Sequence, residues 1–361
     1  MIIKNGCIIY SHGSRKVPIY YGENKIKDLF SYLDKLRFDK IAIITDENVE
    51  KHLGRKLNKI LSSYEHKFFI FPDGEKSKEF PNYKNAVNIL FDWKVSRDSL
   101  IIAFGGGAVG NLAGFVASTI YRGIKFVHIP TTIISQADST IGGKQSINTY
   151  YGKNTLGSIY EPEFILTDFN FLKTLPEKEI RSGLAESIKH GLCQDEIFLE
   201  KFSKKSKRKK FINEVVEETI KLKINLFELD KEGANESKVF VYGHEIGHAI
   251  EALSKGRLAH GESVSIGMCC SANISNNLGH LPARSLKKHY SILKEWNLPT
   301  KIPRNISPKE IIGNLESSGK LNKNKLEIVL LNNIGFPLKT RGIVGTRVGK
   351  ENLFRYIKDC Y

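Results

Sequence analysis

Apolar residues follow two different rhythms along the chain. Up to about residue 175, short apolar runs alternate with segments of helical spacing. DKIAIITD at 39–46, KFFIFP at 67–72, SLIIAFGGG at 99–107 and KFVHIPTT at 125–132 predict buried parallel strands. Tyr83–Trp93 and LAGFVASTIY read as helices between them, which together predict an α/β domain over residues 1–175. After Pro176 the helical rhythm takes over, with helices expected at 178–193, 209–229, 243–255, 261–278 and 284–296. LEIVLLNNIG at 326–335 reads as a strand-like pair with a turn, and FRYIKDCY as a closing helix. Pro176 and the following PEKE suit the first turn of a helix, so the second domain, 176–361, is expected to be all-α.

Composition narrows the class. A chain of 361 residues with 41% hydrophobic and 26% charged content can bury two proper cores and reads as an ordinary globular protein. No apolar run reaches the ~18 residues of a membrane span, and MIIKNGCIIYSHGSRK has no signal-peptide layout. Five scattered cysteines without CxxC spacing suit a reducing compartment, so a cytoplasmic protein without a membrane partner is expected. The net charge of +16 calls for an anionic partner. KKSKRKK at 204–210 lacks interleaved aromatics and reads as a solvated basic face, so no nucleic-acid partner is expected.

Candidate chemistry clusters in three places. Gly105 to Asn111, GGGAVGN, lies between a strand and a helix, where a pyrophosphate can approach backbone N–H groups. The polar stretch after it offers Thr131, Thr132, Asp138, Lys144, Lys153 and Asn154 among glycines, suited to phosphate and hydroxyl recognition. It reads as an ordered loop without helical periodicity. Between Gly183 and Gly267 stand Glu186, Lys189, His244, His248 and His260. His244 and His248 share a helix face, as do Glu186 and Lys189. Two imidazoles with a carboxylate form the donor set of a catalytic zinc-type ion, and Gly261 would let the backbone approach what His260 holds. HEIGH also fits the zinc-protease pattern H-E-x-x-H.

The strings GGGAVGNLAGFVASTIYRGIKFVHIPTT, ADSTIGGKQSIN, GKNTLG, TLPEKEIRSGLAESIKHG, GHEIGHAIE and HGESVSIGM together resemble the 3-dehydroquinate synthase family of sugar-phosphate cyclases, from about Asp46 to Met268. The resemblance implies a Rossmann-like NAD-binding α/β domain, a helical metal-binding domain and a substrate cleft between them. Carried over by motif, Glu186, His244 and His260 would hold a zinc or cobalt ion. Asp46, Glu75, Lys76, Gly105, Gly106, Gly107, Asn111, Thr131, Thr132, Asp138, Ser139, Lys153 and Thr174 would line NAD. Lys144, Asn154, Lys189, Lys223 and His248 would meet the phosphorylated sugar, with Arg122 reaching across from a second subunit of a homodimer. His248 then contacts phosphate rather than metal, which argues against the protease. The family chemistry oxidises one alcohol with NAD, eliminates phosphate, reduces the ketone again and closes a carbocycle.

Departures from the pattern bear on the substrate. Dehydroquinate synthases read roughly R-x-x-L-N-F-G-H before the metal histidine, where this chain reads SKVFVYGH. Ser237 replaces the arginine that would hold a substrate carboxylate, and Val241 replaces an asparagine donor. Gly233 stands in place of an acid, with Glu232 beside it, and SGKLNKNK offers Lys320 or Lys323 in place of a DKK string. Asn111, Gln145 and Tyr242 resemble 2-deoxy-scyllo-inosose synthase, which cyclises glucose 6-phosphate, although that branch has a glutamate at the place of Val241 and lacks the GG before Lys144. A carboxylate-free sugar phosphate is therefore the expected substrate, with 3-dehydroquinate synthase and a net polyol dehydrogenase as alternatives.

Overall fold

A computed structural model describes residues 2–4, 6–203, 208–230 and 234–361. Most of the basic run, together with Glu232 and Gly233, lies outside the described residues. The chain divides into two compact units, Met1–Leu175 and Pro176–Tyr361. No described helix is long and apolar enough to cross a membrane.

The first unit is built on one eight-stranded sheet. Its strands are β1 (Ile2–Lys4), β2 (Cys7–His12), β3 (Arg15–Gly22), β4 (Ile41–Asp46), β5 (His66–Phe71), β6 (Leu100–Gly105), β7 (Lys125–Pro130) and, after a separate hairpin of β8 (Lys144–Thr149) and β9 (Gly152–Ile159), β10 (Ile165–Asp168). The spatial order is β1-β2-β3-β10-β7-β6-β4-β5. Strands from β3 to β5 in that order run parallel, and β2 and β1 extend the edge antiparallel. β4 and β6 are buried at every position, as expected for strands covered on both faces. Helices α1 (Phe80–Asp92) and α2 (Gly107–Thr119) belong to the cover. After β5 the chain crosses back over β4 to place β6 on its other side, so the strand order reverses between β4 and β6. Sheets of this kind bind ligands in the crevice at the carboxyl ends of such strands.

Six strands, β1, β2, β3, β8, β9 and β10, are not expected from the sequence. β1 and β10 are only three and four residues long, and β3 alternates buried with half-buried positions. The polar stretch expected as a loop instead forms a short π-helical turn, Ser135–Ser139, and the β8–β9 hairpin.

The second unit carries α3 (Glu177–Gln194), α4 (Arg208–Leu229), α5 (His244–Ser254), α6 (His260–Asn277), α7 (Ala283–Glu295), α8 (Pro308–Ser317) and α9 (Lys350–Lys358). It is not all-α. Leu321–Asn322, Lys325–Ile328 and Thr346–Gly349 form a three-stranded sheet, with two further two-stranded ladders. Lys325–Ile328 and Leu331–Asn333 fall in the stretch expected to be a strand-like pair, but each pairs with another strand. The other strands of this unit are two to four residues long, too short for a period-two pattern to register in the sequence.

Glycines set how closely three of these helices approach. A Cβ on Gly267 of α6 would lie 1.9 Å from the Gly243 carbonyl oxygen that begins α5, and one on Gly261 would lie 2.0 Å from the Ser182 carbonyl of α3. The Gly261 N–H also donates to Ser182 Oγ at 2.9 Å. Gly261 thus serves helix packing rather than approach to a ligand. Gly267→Ala should force rigid backbones apart and destabilise the second unit by about 3 kcal/mol. Urea unfolding checks this, and the shift should far exceed that of Gly313→Ala, where an added Cβ meets nothing within 4 Å.

Candidate functional site

In the second unit, α3, α5 and α6 converge on one buried carboxylate. Glu186 and Lys189 lie one turn apart on α3, and Lys189 Nζ donates to Glu186 Oε2 at 2.6 Å and to the Phe240 carbonyl at 2.7 Å. The other oxygen, Glu186 Oε1, lies 3.4 Å from His244 Nε2 and 3.4 Å from His260 Nε2. It is buried and has no hydrogen-bond partner among the described residues. His248, one turn after His244 on α5, joins the group: ring nitrogens of His244, His248 and His260 all lie within 4.8 Å of one another.

The outer ring nitrogens decide which atoms face inward. His244 Nδ1 lies 3.2 Å from the Tyr242 carbonyl, and His260 Nδ1 lies 3.0 Å from Glu251 Oε2. Both partners accept, so Nδ1 carries the proton in the neutral form of each ring, and in that form the Nε2 lone pairs are directed at Glu186. An orphaned carboxylate oxygen beside two such lone pairs is a donor set that fits a divalent cation. Burial opposes ionisation of Glu186, but the Lys189 ammonium and His244 outweigh it and hold its carboxyl well below the ordinary range. Burial and Lys189 lower His244, favouring its neutral, ligating form. Burial also opposes a charge on His260, yet its two carboxylate partners prevail and push it up to about 10. An entering cation would compete with that proton.

Cationic side chains border this cluster. Lys320 Nζ lies 3.2 Å from His248 Nδ1, so of the two lysines offered by the sequence it is Lys320 that reaches the histidines. Burial, with His244 and Lys320 nearby, takes His248 down to about 2, which keeps the ring neutral. Lys223 Nζ lies 5.3 Å from the centre of the Phe240 ring, whose carbonyl holds Lys189. Glu245, the glutamate of HEIGH, is buried and accepts the Val329 N–H at 2.8 Å; it serves the fold instead of acting as a base.

In the first unit, Asp46 ends β4 and Gly105 ends β6, on either side of the point where strand order reverses. Gly107 opens α2, and a Cβ there would lie 2.9 Å from Ser139 Oγ. That hydroxyl is buried without a hydrogen-bond partner among the described residues. A Cβ on Gly106 would crowd Thr132 at 3.2 Å, and the Thr131 N–H donates to the Gly105 carbonyl at 3.0 Å. The bare backbone at a helix N-terminus and the waiting hydroxyl fit a dinucleotide pyrophosphate. Asp46 caps the following turn through the Val49 N–H, and burial raises its pKa. Asn111 is half-buried one turn into α2, and Asp138 sits beside Ser139 in the π-helical turn.

A second polar group forms around the β8–β9 hairpin. Glu75 lies 3.8 Å from Lys153 Nζ and accepts from Asn148 Nδ2 at 3.0 Å. Lys78 lies 3.3 Å from Glu75 and donates to Asn154 Oδ1 at 2.7 Å. Lys144 is exposed at the start of β8, on the strand face shared by Ser146 and Asn148. Lys78 was missed in the sequence, where Lys76 was singled out; Lys76 is exposed and Lys78 is buried. The 3₁₀ turn Gly74–Lys78 explains this, since a lysine three after Glu75 shares its side and the adjacent one does not. Thr174 is exposed and bonded to its own turn through the Phe171 carbonyl. Arg122 is the residue expected to reach across from a second subunit. It follows the far end of α2, about 18 Å from Gly107 along the helix, in a turn where Tyr121 and Arg122 have φ of 52° and 66°.

Glu251 was also missed, although its place one turn after His248 puts it on that face. Glu251→Ala should free the His260 ring and weaken Zn²⁺ or Co²⁺ binding by about 10- to 100-fold. Chelator competition on the purified protein measures this directly, and Glu251→Gln should retain part of the affinity.

Residues 68–182 match the 3-dehydroquinate synthase N-terminal family and residues 183–320 the corresponding C-terminal family. The 3-dehydroquinate synthase of Desulforamulus reducens is 35% identical over 339 residues, covering 91% of this chain and 94% of the relative. Among solved structures, 2-deoxy-scyllo-inosose synthase complexed with carbaglucose-6-phosphate, NAD⁺ and Co²⁺ superimposes with a TM-score of 0.89 at 26% identity, covering 98% of this chain and 100% of that one. The 2-epi-5-epi-valiolone synthase of Streptomyces hygroscopicus shares the fold, with a TM-score of 0.83 at 21% identity over 97% of this chain and 98% of that one. With both domain patterns matched and a relative this similar over nearly its whole length, the chain belongs to the 3-dehydroquinate synthase family of sugar-phosphate cyclases.

Proposed function

We propose that this enzyme is an NAD- and divalent-metal-dependent carbon–oxygen lyase that cyclises a carboxylate-free sugar phosphate, glucose 6-phosphate being the first candidate. The cofactor pair rests on the family and on the 2-deoxy-scyllo-inosose synthase complex, which holds NAD⁺ and Co²⁺. The observation that carries the substrate class is the fate of Ser237. In the family pattern an arginine at this place holds the substrate carboxylate. Here the Ser237 hydroxyl donates to Asp230 Oδ2 at 2.8 Å and its N–H donates to the same oxygen at 2.9 Å. Asp230 also accepts from Ala234 and Asn235, and these bonds outweigh its slight burial and hold it down to about 2. Ser237 is thus committed to its own loop. Val241, 44% exposed in place of the asparagine donor, has no polar atom beyond its backbone. A carboxylate arriving there would lose water without gaining a charged partner.

Bound NAD supplies a reversible hydride acceptor, and a bound divalent cation held by Glu186, His244 and His260 supplies Lewis acidity toward adjacent sugar oxygens. The protein's own groups do the rest. Lys189 fixes Glu186 in place, and its charge favours oxyanion character near the cluster. Neutral His248 can take up a proton, while Lys320 and Lys223 place positive charge for a departing phosphate. In the first unit, Lys144 and Asn154 of the β8–β9 hairpin and Lys78 of the Gly74–Lys78 turn carry further N–H donors suited to sugar hydroxyls and phosphate. NAD held at the Gly105–Gly107 turn would supply reversible oxidation of one sugar hydroxyl, which would make the neighbouring C–H acidic enough for phosphate to be eliminated, and the overall reaction would release phosphate with no net NADH.

The second reading is 3-dehydroquinate synthase itself, favoured by 35% identity to curated synthases over 91% of the chain. Phosphate release assayed in parallel with glucose 6-phosphate and with the seven-carbon keto acid phosphate of the shikimate route separates the two. We expect turnover of glucose 6-phosphate without net NADH; turnover of the acid alone would establish the second reading. Ser237→Arg with Val241→Asn should raise relative kcat/KM for the acid by about 30-fold or more, the worth of one charge-assisted pair.

A further inference from the structure

A buried acid outside both candidate clusters is wired to the hairpin that carries Lys144. Glu161 follows β9 and is 5% exposed, yet every oxygen it has is engaged. Tyr10 Oη donates to Glu161 Oε2 at 2.6 Å, His12 Nδ1 lies 2.6 Å from Oε1, and Arg15 donates to the Glu161 carbonyl at 3.0 Å. All three partners come from the β2–β3 hairpin, where His12 and Arg15 are directly paired. The same Tyr10 oxygen accepts the Gly142 N–H at 3.3 Å.

Gly142 and Gly143 have φ of 95° and 64°, a conformation that favours glycine, and a Cβ on Gly143 would lie 2.9 Å from the Glu161 carboxyl. The Gly143 carbonyl accepts the Tyr160 N–H at 2.8 Å, so the turn is held on both sides. Lys144 is the next residue, with its side chain exposed. A buried polar network whose members are all hydrogen-bonded fixes geometry well.

We propose that Tyr10 and Glu161 are positioning residues for Lys144: the Tyr10–Glu161 latch grips the Gly142–Gly143 turn and so sets where the Lys144 ammonium meets the phosphorylated sugar. This rests on the reading that Lys144 contacts that substrate. His12 orients the Glu161 carboxyl and Arg15 its main-chain carbonyl, so the N-terminal hairpin acts on Lys144 through the glycine turn.

Tyr10→Phe removes the shared hydroxyl and keeps the ring. Hydrogen exchange followed by mass spectrometry on the NAD- and Co²⁺-loaded enzyme should show faster exchange at residues 142–146, with the β4–β6 strands unchanged. Unaltered protection of that segment would overturn the latch. With glucose 6-phosphate, Tyr10→Phe should raise KM about fivefold with kcat within about twofold. Glu161→Ala should do more and Glu161→Gln less, because the amide oxygen still accepts from Tyr10. The Tyr10→Phe effect should vanish in a Lys144→Met background, and an undiminished effect there would also overturn the proposal. Should Lys144→Met alone leave KM unchanged, the substrate-contact reading fails, and the exchange result still decides whether the turn depends on Tyr10.

Discussion

One carboxylate oxygen governs the second unit. Glu186 Oε1 is buried among groups that could satisfy it only by sharing a cation or a proton with it, since the facing nitrogens of His244 and His260 present lone pairs. Burying a carboxylate this way is expensive unless charge is returned to it. Lys189 returns part from its own helix, and the glycines at 261 and 267 let α6 come close enough for His260 to complete the set. The cluster is therefore a product of backbone packing as much as of ligand choice. Exchanging a small residue at a helix crossing would disturb it as surely as exchanging a histidine.

Lys189 and Lys320 lie beside this centre, with His248 held neutral. The carboxylate-reading place that we propose to be altered holds a serine bound into its own loop and a bare valine. Recognition of phosphate and hydroxyls relies on cations and amides spread over several elements, whereas recognition of a carboxylate relies on a planar donor pair at one position. The first is robust to single substitutions and the second is not, so substrate class can shift within a preserved fold.

The sequence made the covered part of the sheet and the long helices legible, because β4, β6 and α5 carry unbroken or strongly periodic apolar positions. It hid elements whose burial is partial. β3 shows mixed exposure and β9 is largely exposed, and the short strands after Leu321 outside 326–335 span too few residues to display a period. Glu186, His244 and His260 were named from motif, and the fold brings these three side chains together; we propose them as the metal ligands. Tyr10 and Glu161 were not readable, because their importance comes from partners that the fold brings near; Lys78 and Glu251 were missed although their spacing from Glu75 and His248 was there to read. Gly261 was noticed for the wrong reason: its missing side chain admits Ser182, not a ligand.

The central claim, that Glu186, His244 and His260 form one cation site, is tested most directly by titrating metal-free protein with Co²⁺ and following its visible absorption. A single saturable equivalent with the intense bands of low-coordinate cobalt, lost in Glu186→Ala and in His260→Ala while both variants stay folded by circular dichroism, is the predicted result. Equal Co²⁺ binding by wild type and both variants, or none by wild type, would contradict it.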